Sequence, residues 1–571
     1  MSFFDDASLA FLPSGAAGKD GKAYSIKPTD GTGDFTFSRG SNLAATRVGA
    51  DGLIEKGREN LFLRSNEFDT SPWASSVTLT SGQSGYDGSS DAWLLTKTAS
   101  GAQSVYNYIT QTGVATMSVY AKAGSVNWMR LTHGGVTAYF DLSGSGAVGA
   151  TSNGIDQTIT SVGNGWFRCT LTANRTAAGQ TPIYPYTAEG DSSGSTDSIY
   201  IQSSQLEIGL AATDVISTGA STGKAGLLED EPRFDYSGGA TCPSLLLEPS
   251  RTNLAPYSEY IEGLALTDLT PTPNATISPE GLQNAYKVLT GTAGSEQIAA
   301  ADTSTTGNVK TQSVYIKEDS GVQWIRLIQL RSGFSNSAST WFDIQNGVKG
   351  SKEQNGTTSV VDDATKIEDA GNGWYRLTLV CTDSTNNTNF DTRVRTAIAN
   401  GSGTRVSNGS YFVWGYQMES DASYPTSYIP NHSGGSVTRG ADDASNTNTI
   451  DSDNDFTFYF ESTLIPENFG GKYFDNQSNG YLSGYNIGGS NLRHRYSGTN
   501  YGFTAPEGVF KYLIRKDSTN MKFYLNGVLE YTITTLPTGT NDLELLGGKV
   551  HKTLLFPEAL SDADCITLTT L

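Results

Sequence analysis

One stretch of this chain occurs twice. Residues 60–68 (NLFLRSNEF) return as residues 253–261 (NLAPYSEYI), and SVYAK at 118–122 returns as SVYIK at 313–317. VGNGWFRCTLT at 162–172 matches AGNGWYRLTLV at 370–380, and YIQSSQLE at 200–207 matches FVWGYQME at 412–419. The spacing between copies widens from 193 residues at Asn60/Asn253 to 196 at Trp128/Trp324, 208 at Trp166/Trp374 and 212 at Gln205/Gln417. Such drift is expected when loops lengthen between fixed strands. The repeat is therefore a folded unit of about 160 to 190 residues, far too long for one turn of a solenoid. A duplicated β module usually binds or spaces, because catalysis seldom needs the same site twice on one chain.

The segments inside each copy alternate apolar and polar residues, as in TMSVYAKA, NWMRLTH, GWFRCTLT and SIYIQSSQLE, and are bounded by Gly, Asn, Asp and Ser. With 64 glycines, 37% apolar and 17% charged residues, the chain suits short strands and turns rather than helices. The pattern predicts an all-β protein with two tandem jelly-roll-type β-sandwich modules. LIE at 53–55 and LLE at 246–248 open the copies, which places module 1 at 52–221, a linker at 222–244 and module 2 at 245–432. Residues 1–51 form an extended, Gly-rich docking leader with too little apolar content for a core of its own, so it should order against its own module or a partner chain. Residues 433–571 read as an unrelated β-sandwich: FTFYFEST at 456–463 is a strand, and Asn526-Gly527 between KFYL and VLEY is a hairpin turn. Ser561, with Asp564 three residues on, should cap a short terminal helix.

A net charge of −20 opposes the phosphate neutralisation that nucleic-acid binding requires. Cys169, Cys242, Cys381 and Cys565 lack C-x-x-C spacing and share no repeat position, so they read as small buried thiols rather than bridges. His133, His432, His494 and His551 show no ligand spacing. The acidic start MSFFDDASLAFLPSG lacks the basic region of a signal peptide, and no apolar run reaches membrane-spanning length.

The N-L-x-x-x-S opening of each copy, the NGWFR/NGWYR strand and the Q-x-E ending that runs on to TSYIPN resemble the carbohydrate-binding-like modules of tailed-phage tail-fibre and virion proteins. SLAFLPSG…DFTFSRGSNLAATRV…GLIE is similar to the leader of phage fibre and head-fibre proteins, and FYLNGVLEYT followed by FPEALSDAD resembles the laminin-G and concanavalin-like lectin fold. The resemblance implies a non-enzymatic virion-surface protein made in the bacterial cytoplasm. It further implies docking to other virion proteins through the leader, attachment to host-surface polysaccharide, and a homo-oligomer with a trimer favoured. It requires no cofactor.

Two sets of side chains are candidates for a site. Trp73, Trp93, Trp341 and Trp414 vary between the copies and are glycan-platform candidates, since aromatic faces stack on the apolar faces of sugars. Trp128/Trp324 and Trp166/Trp374 recur in both copies and are assigned to core packing. Glu55 with Glu207, and Glu248 with Glu419, are candidates for a structural Ca²⁺ near joined terminal strands, as related sugar-binding sandwiches often have. No nucleophile–base arrangement or distinctive carboxylate pair stands out, and Asp362-Asp363, Asp442-Asp443 and Glu229–Glu231 read as solvated acids. Two alternatives stay open: a purely structural capsid or tail decoration, and a polysaccharide depolymerase.

Overall fold

The computed structural model describes all residues except 1–2, 16–17, 20, 41–42, 303–306, 332–333, 386–387, 465–471, 475–482, 487–490, 497–498, 505–507 and 546. Period-two alternation becomes strands that split their side chains between a core and an outer face. In module 1 one sheet runs Asp156–Gly163, Trp166–Arg175, Gly113–Ala123, Ser198–Ile208, Ala92–Thr96, Thr78–Gln83. The facing sheet runs Ala147–Thr151, Val136–Asp141, Trp128–His133, Gly179–Tyr186, Val105–Ile109, Ala74–Ser75. Module 2 repeats both orders, its second sheet running Val348–Asn355, Ser337–Asp343, Trp324–Leu330, Phe390–Ala397, Gln297–Asp302, Ala265–Thr267. Met117, Val119, Leu131, Phe140, Leu171 and Ile201 fill the first sandwich, and Val314, Ile325, Leu327, Phe342, Leu379 and Val413 the second.

The expected all-β class with tandem sandwiches is what forms. The third sandwich, however, is not confined to residues 433–571. Its larger sheet contains Phe456–Leu464, Val509–Lys516, Met521–Leu525, Val528–Ile533 and Gly548–Phe556, and the last of these pairs with Leu9–Phe11 of the leader and Ser244–Leu247 at the start of module 2. Phe234–Asp235 of the linker extends the same sheet. The facing sheet places Phe35–Ser38 beside Asp443–Asp451, which in turn pairs with Thr540–Glu544. The leader is thus not an extended arm. Phe11, Phe35 and Phe37 pack with Leu245, Leu247, Phe458 and Phe523 in one core, because a Gly-rich segment without a core gains burial only by lending its few apolar residues to another. The Asn526-Gly527 turn and the helix Asp562–Thr569 form as expected, with Asn526 and Gly527 at φ 46° and 85° and Ser561 Oγ accepting from Asp564 N at 3.1 Å.

Two buried ionic junctions tie these units together. At the first, Arg233 Nη1 donates to Glu248 Oε2 at 2.8 Å and Arg233 Nη2 donates to Asp442. Arg439 Nη1 donates to Glu248 at 2.7 Å, and Arg39 Nη1 to Asp442 at 3.3 Å. At the second, Lys56 Nζ lies 2.7 Å from Glu259 and 2.8 Å from Glu280, with Arg58 3.0 Å from Glu280 and His432 3.5 Å from Glu259. Lys56 and Arg58 belong to module 1, and their partners to module 2.

Burial disfavours the charged form of Glu248, but Arg439, Arg233 and Ser427 outweigh it and hold the carboxyl at about 2, against an ordinary 4.5. Because the folded value is depressed, this contribution to stability is complete above pH 4.5 and is lost as pH falls from 4.5 towards 2. Glu248→Gln should cost about 3–5 kcal/mol at neutral pH, by taking the carboxylate from buried Arg439 and one of the two carboxylates from buried Arg233, and should flatten the acid limb of the denaturant midpoint plotted against pH. An unchanged acid limb would refute this assignment. Residues 433–571 expressed alone should lack cooperative unfolding by circular dichroism, since the strands from the leader, linker and start of module 2 are missing; a sharp two-state melt would show that this segment needs none of them.

Candidate functional site

The repeated motifs converge on one buried arrangement in each copy. Asn60 Oδ1 accepts from Phe62 N and Leu206 N, both at 3.1 Å, while its Nδ2 donates to Ile216 O at 2.9 Å. Asn253 does the same with Ala255 N, Met418 N and Ile429 O at 3.0, 3.0 and 2.9 Å. Gln205 Oε1 accepts from Ile216 N and Gln417 Oε1 from Ile429 N, at 2.7 and 2.8 Å. Arg376 Nη2 donates to Ser313 Oγ and Thr426 O at 3.0 and 2.8 Å, and Arg168 makes the equivalent bonds to Ser118 and Thr213. Asn-Leu, Arg and Q-x-E are therefore a latch that fastens the chain leaving each sandwich across its opening strand.

This latch uses the acids expected to hold calcium. Glu207 accepts from Thr213 N at 2.8 Å, Thr213 Oγ1 at 2.5 Å and Gln205 Nε2 at 2.5 Å. Glu419 accepts from Thr426 N at 3.1 Å, Thr426 Oγ1 at 2.5 Å and Gln417 Nε2 at 2.9 Å. Glu248 is taken by Arg233, Arg439 and Ser427, and Glu55 by Arg47 at 2.6 Å. The calcium expectation is corrected: these oxygens already accept from fixed donors, and no group of three or more His, Cys, Asp or Glu able to hold a metal occurs among the described residues. Nor, among those residues, is any helix long and apolar enough to cross a membrane. Cys169, Cys381 and Cys565 are buried thiols, whereas Cys242 is exposed.

The four expected tryptophan platforms are corrected as well. Trp73 and Trp93 are core residues packed around Phe68, and their indole N–H groups donate to Arg64 O and Asn66 O at 2.9 Å each. Trp414 is fully buried between Tyr315 and Tyr428. Trp341 does sit on an outer sheet face, but Arg326 covers its ring at 4.3 Å, leaving it 2% exposed. Trp166 and Trp374 are buried as expected.

Trp128 and Trp324, assigned to the core from sequence, belong to the outer face instead. Each is only partly buried, and each reaches across one strand to the sheet's edge strand, where a glycine leaves room. A Cβ on Gly149 would lie 2.8 Å from the Trp128 ring, and one on Gly350 2.7 Å from the Trp324 ring. In module 1 this face is a row of rings. Tyr139, Arg130 and Tyr184 are in register across three adjacent strands, Asp141, Trp128 and Tyr186 form the next row, and Tyr106 and Tyr108 stand on the strand beyond. The Arg130 guanidinium lies 4.2 Å over Tyr184 and 5.3 Å over Tyr186, with Tyr139 and Tyr186 edge-on at 5.5 Å. Tyr108 is 58% exposed. The signal was present in the sequence as alternation in VYNYI, WMRLTH, VTAYFD and PIYPY, but which phase faces solvent is set only by the opposite sheet.

A separate cleft of about 1320 Å³ lies where residues 46–54, 235–240, module 2 and the third sandwich meet. Tyr236, Tyr424, Asp363, Lys366, Asp369 and Arg376 are among the residues lining it.

No protein-family model matches the chain, and no curated protein matches it. Among solved structures it is similar to the N-terminal CBM22-1–CBM22-2 tandem domain of Xyn10C from Paenibacillus barcinonensis, at 10% identity, covering 67% of this chain and 100% of that one, with a TM-score of 0.21. It is also similar to domain 4 of AbnA, a GH43 extracellular arabinanase from Geobacillus stearothermophilus, in complex with arabinotriose, at 14% identity, covering 24% and 77%, with a TM-score of 0.19. Neither likeness bears on what this chain does.

Glu207→Gln and Glu419→Gln, each of which turns an amide N–H towards existing donors, should lower the unfolding free energy by about 1–3 kcal/mol. A chelator should leave the calorimetric midpoint of the unmodified protein unchanged; a chelator-induced drop would restore a metal to the site.

Proposed function

We propose that the chain is a non-catalytic glycan-binding protein, and that the outer face of module 1 formed by Tyr106, Tyr108, Trp128, Arg130, Tyr139 and Tyr184 is its platform. The observation that carries this is the row of partly exposed rings on the solvent side of one sheet. An apolar row of this kind has no role in the core beneath it, and ring faces bind the C–H faces of sugars while Arg130, Asp141 and tyrosine hydroxyls reach sugar hydroxyls. The sequence resemblance of the leader and repeats to phage fibre proteins supports a virion surface as the setting, host polysaccharide as the ligand and a homo-oligomer as the working form. An open sheet face covers one side of a ligand only, so single contacts are weak and repetition raises avidity.

One reading competes on an observation of its own: the cleft carries Asp363, Glu368 and Asp369 on its wall, and a depolymerase would need two such carboxylates about 5 to 10 Å apart across a sugar. Binding of the full chain to a panel of neutral glucans, xylans, arabinans and bacterial surface polysaccharides separates the two. Tyr184→Ala and Tyr108→Ala should each weaken retention on the bound glycan about tenfold without changing the melting temperature, and no reducing ends should appear. Reducing-end release abolished by Asp363→Asn would favour the enzyme. Absence of binding by folded protein would leave a structural virion component.

A further inference from the structure

The same sheet in module 2 has kept the fold and exchanged the chemistry. Where module 1 sets Tyr139, Arg130 and Tyr184 in one row, module 2 sets Trp341, Arg326 and Arg395. Arg393 lies two residues along the same strand and faces the same way, and Arg405 adds a fourth guanidinium at the edge. Arg326 and Arg395 are directly opposite each other on neighbouring strands, a pairing of like charges that destabilises a sheet. Cross-strand pairing therefore does not explain Arg395.

Their counter-ions are unevenly distributed. Arg326 meets Glu353, Arg393 meets Asp391 at 2.9 Å, and Arg405 lies 3.9 Å from Glu296. Arg395 makes no carboxylate ion pair within 4 Å among the described residues, Asp391, paired with Arg393, acting on it only from farther off. Its Nε and Nη2 both donate to the side-chain amide oxygen Oε1 of Gln297, at 3.1 and 2.7 Å, and Arg393 Nη1 donates to that oxygen too, at 3.1 Å. Burial and the nearby Arg405, Arg393 and Arg326 push the Arg395 guanidinium down to about 10. Between these cations stands Phe334, 53% exposed, with the Arg393 and Arg395 guanidinium carbons 5.1 and 5.2 Å from its ring. An exposed ring flanked by forked donors suits a ligand that carries an oxyanion beside an apolar face.

We propose that this face of module 2 binds an acidic polysaccharide, with Arg395, assisted by Arg393 and Arg326, receiving a carboxylate or sulfate group and Phe334 receiving the face of the sugar that bears it. The proposal rests on the reading of these sheet faces as glycan platforms and names the ligand class of the second copy. With a net charge of −20 the protein as a whole repels polyanions, so the four arginines must act at short range, within a Debye length of about 8 Å at physiological salt. A guanidinium without a carboxylate in direct contact has less to give up when it takes one from a ligand.

The test is affinity electrophoresis and calorimetry of the full chain against polygalacturonate, dextran sulfate and a neutral glycan held by module 1, at low and high NaCl. Arg395→Gln should weaken binding of at least one anionic polymer by about tenfold or more, and leave both the neutral glycan and the melting temperature unaffected. Arg395→Lys should recover only part of the loss. Preference for polygalacturonate identifies the carboxylate as the ligand group, and preference for dextran sulfate the sulfate. Anionic polymers that do not bind, or that bind Arg395→Gln equally well, overturn the proposal while leaving the module 1 platform standing. Free sulfate competing as well as the polymer at equal ionic strength overturns the polysaccharide assignment. Conversely, anionic binding lost in Arg395→Gln, with no neutral glycan bound and Tyr184→Ala without effect, would sink the module 1 reading and keep this one.

Discussion

Arg233 lies fully buried between Glu248 and Asp442, and the position of those three groups fixes the course of the whole chain. Arg233 comes from the linker, Glu248 from the start of module 2, Asp442 from the start of the third sandwich, and Arg39, bonded to Asp442, from the leader. Burying such charges is costly, and apolar replacements of equal shape often do as well for stability. What a forked guanidinium adds is direction. It accepts only partners placed in its plane, so the four segments can close on one another in one arrangement. Around this point the leader and the strand Ser244–Leu247 are handed to the third sandwich, which is incomplete without them.

A frame held this way explains why the strongest sequence repeats carry no ligand chemistry. Asn60/Asn253, Arg168/Arg376, Gln205/Gln417 and Glu207/Glu419 are nearly saturated by backbone and side-chain partners inside each latch, and changing one would leave buried groups unpaired. The outer sheet faces carry no such obligation. Tyr184 in one copy and Arg395 in the other occupy the same place on the same strand, and neither touches the core beneath. The latch residues recur because they are scaffold, whereas on the outer faces Trp128/Trp324 and Arg130/Arg326 are kept and their neighbours Tyr184/Arg395 and Tyr139/Trp341 are exchanged.

Local chemistry was legible in the sequence wherever the structure is local. Asn526-Gly527 predicted a tight hairpin and Ser561 a helix cap, because each depends on residues a few positions apart, and the repeat predicted two equivalent sandwiches because one strand pattern occurs twice. The third sandwich was legible as a β-sandwich over 433–571, but its extent was not, since Leu9 pairs with Leu555 and Phe37 with Ala444, and nothing near Leu9 announces a partner at the other end of the chain. The site failed for a related reason. Trp93 and Trp128 both sit in alternating strands, and sequence does not say which phase meets the opposing sheet; the structure turns the first inward against Phe68 and the second outward against Gly149. The glutamates looked like ligands because a carboxylate that accepts from Thr N–H and O–H groups has the same sequence signature as one that binds a cation.

The fixed junction also bears on how two dissimilar faces could serve one ligand. An open sheet face covers only one side of a sugar chain, whereas an enclosing pocket buries most of its ligand, so neither face alone is suited to tight binding. On a flexible linker the second contact would be averaged over many separations. Lys56 and Arg58 locked onto Glu259 and Glu280 remove that averaging, and set one distance between the aromatic face of module 1 and the basic face of module 2. A polymer whose neutral and acidic units recur at that distance would gain from both contacts at once, and one with the wrong repeat would gain from one contact at a time. Selectivity on this reading comes from spacing held by buried charge, more than from either surface taken alone.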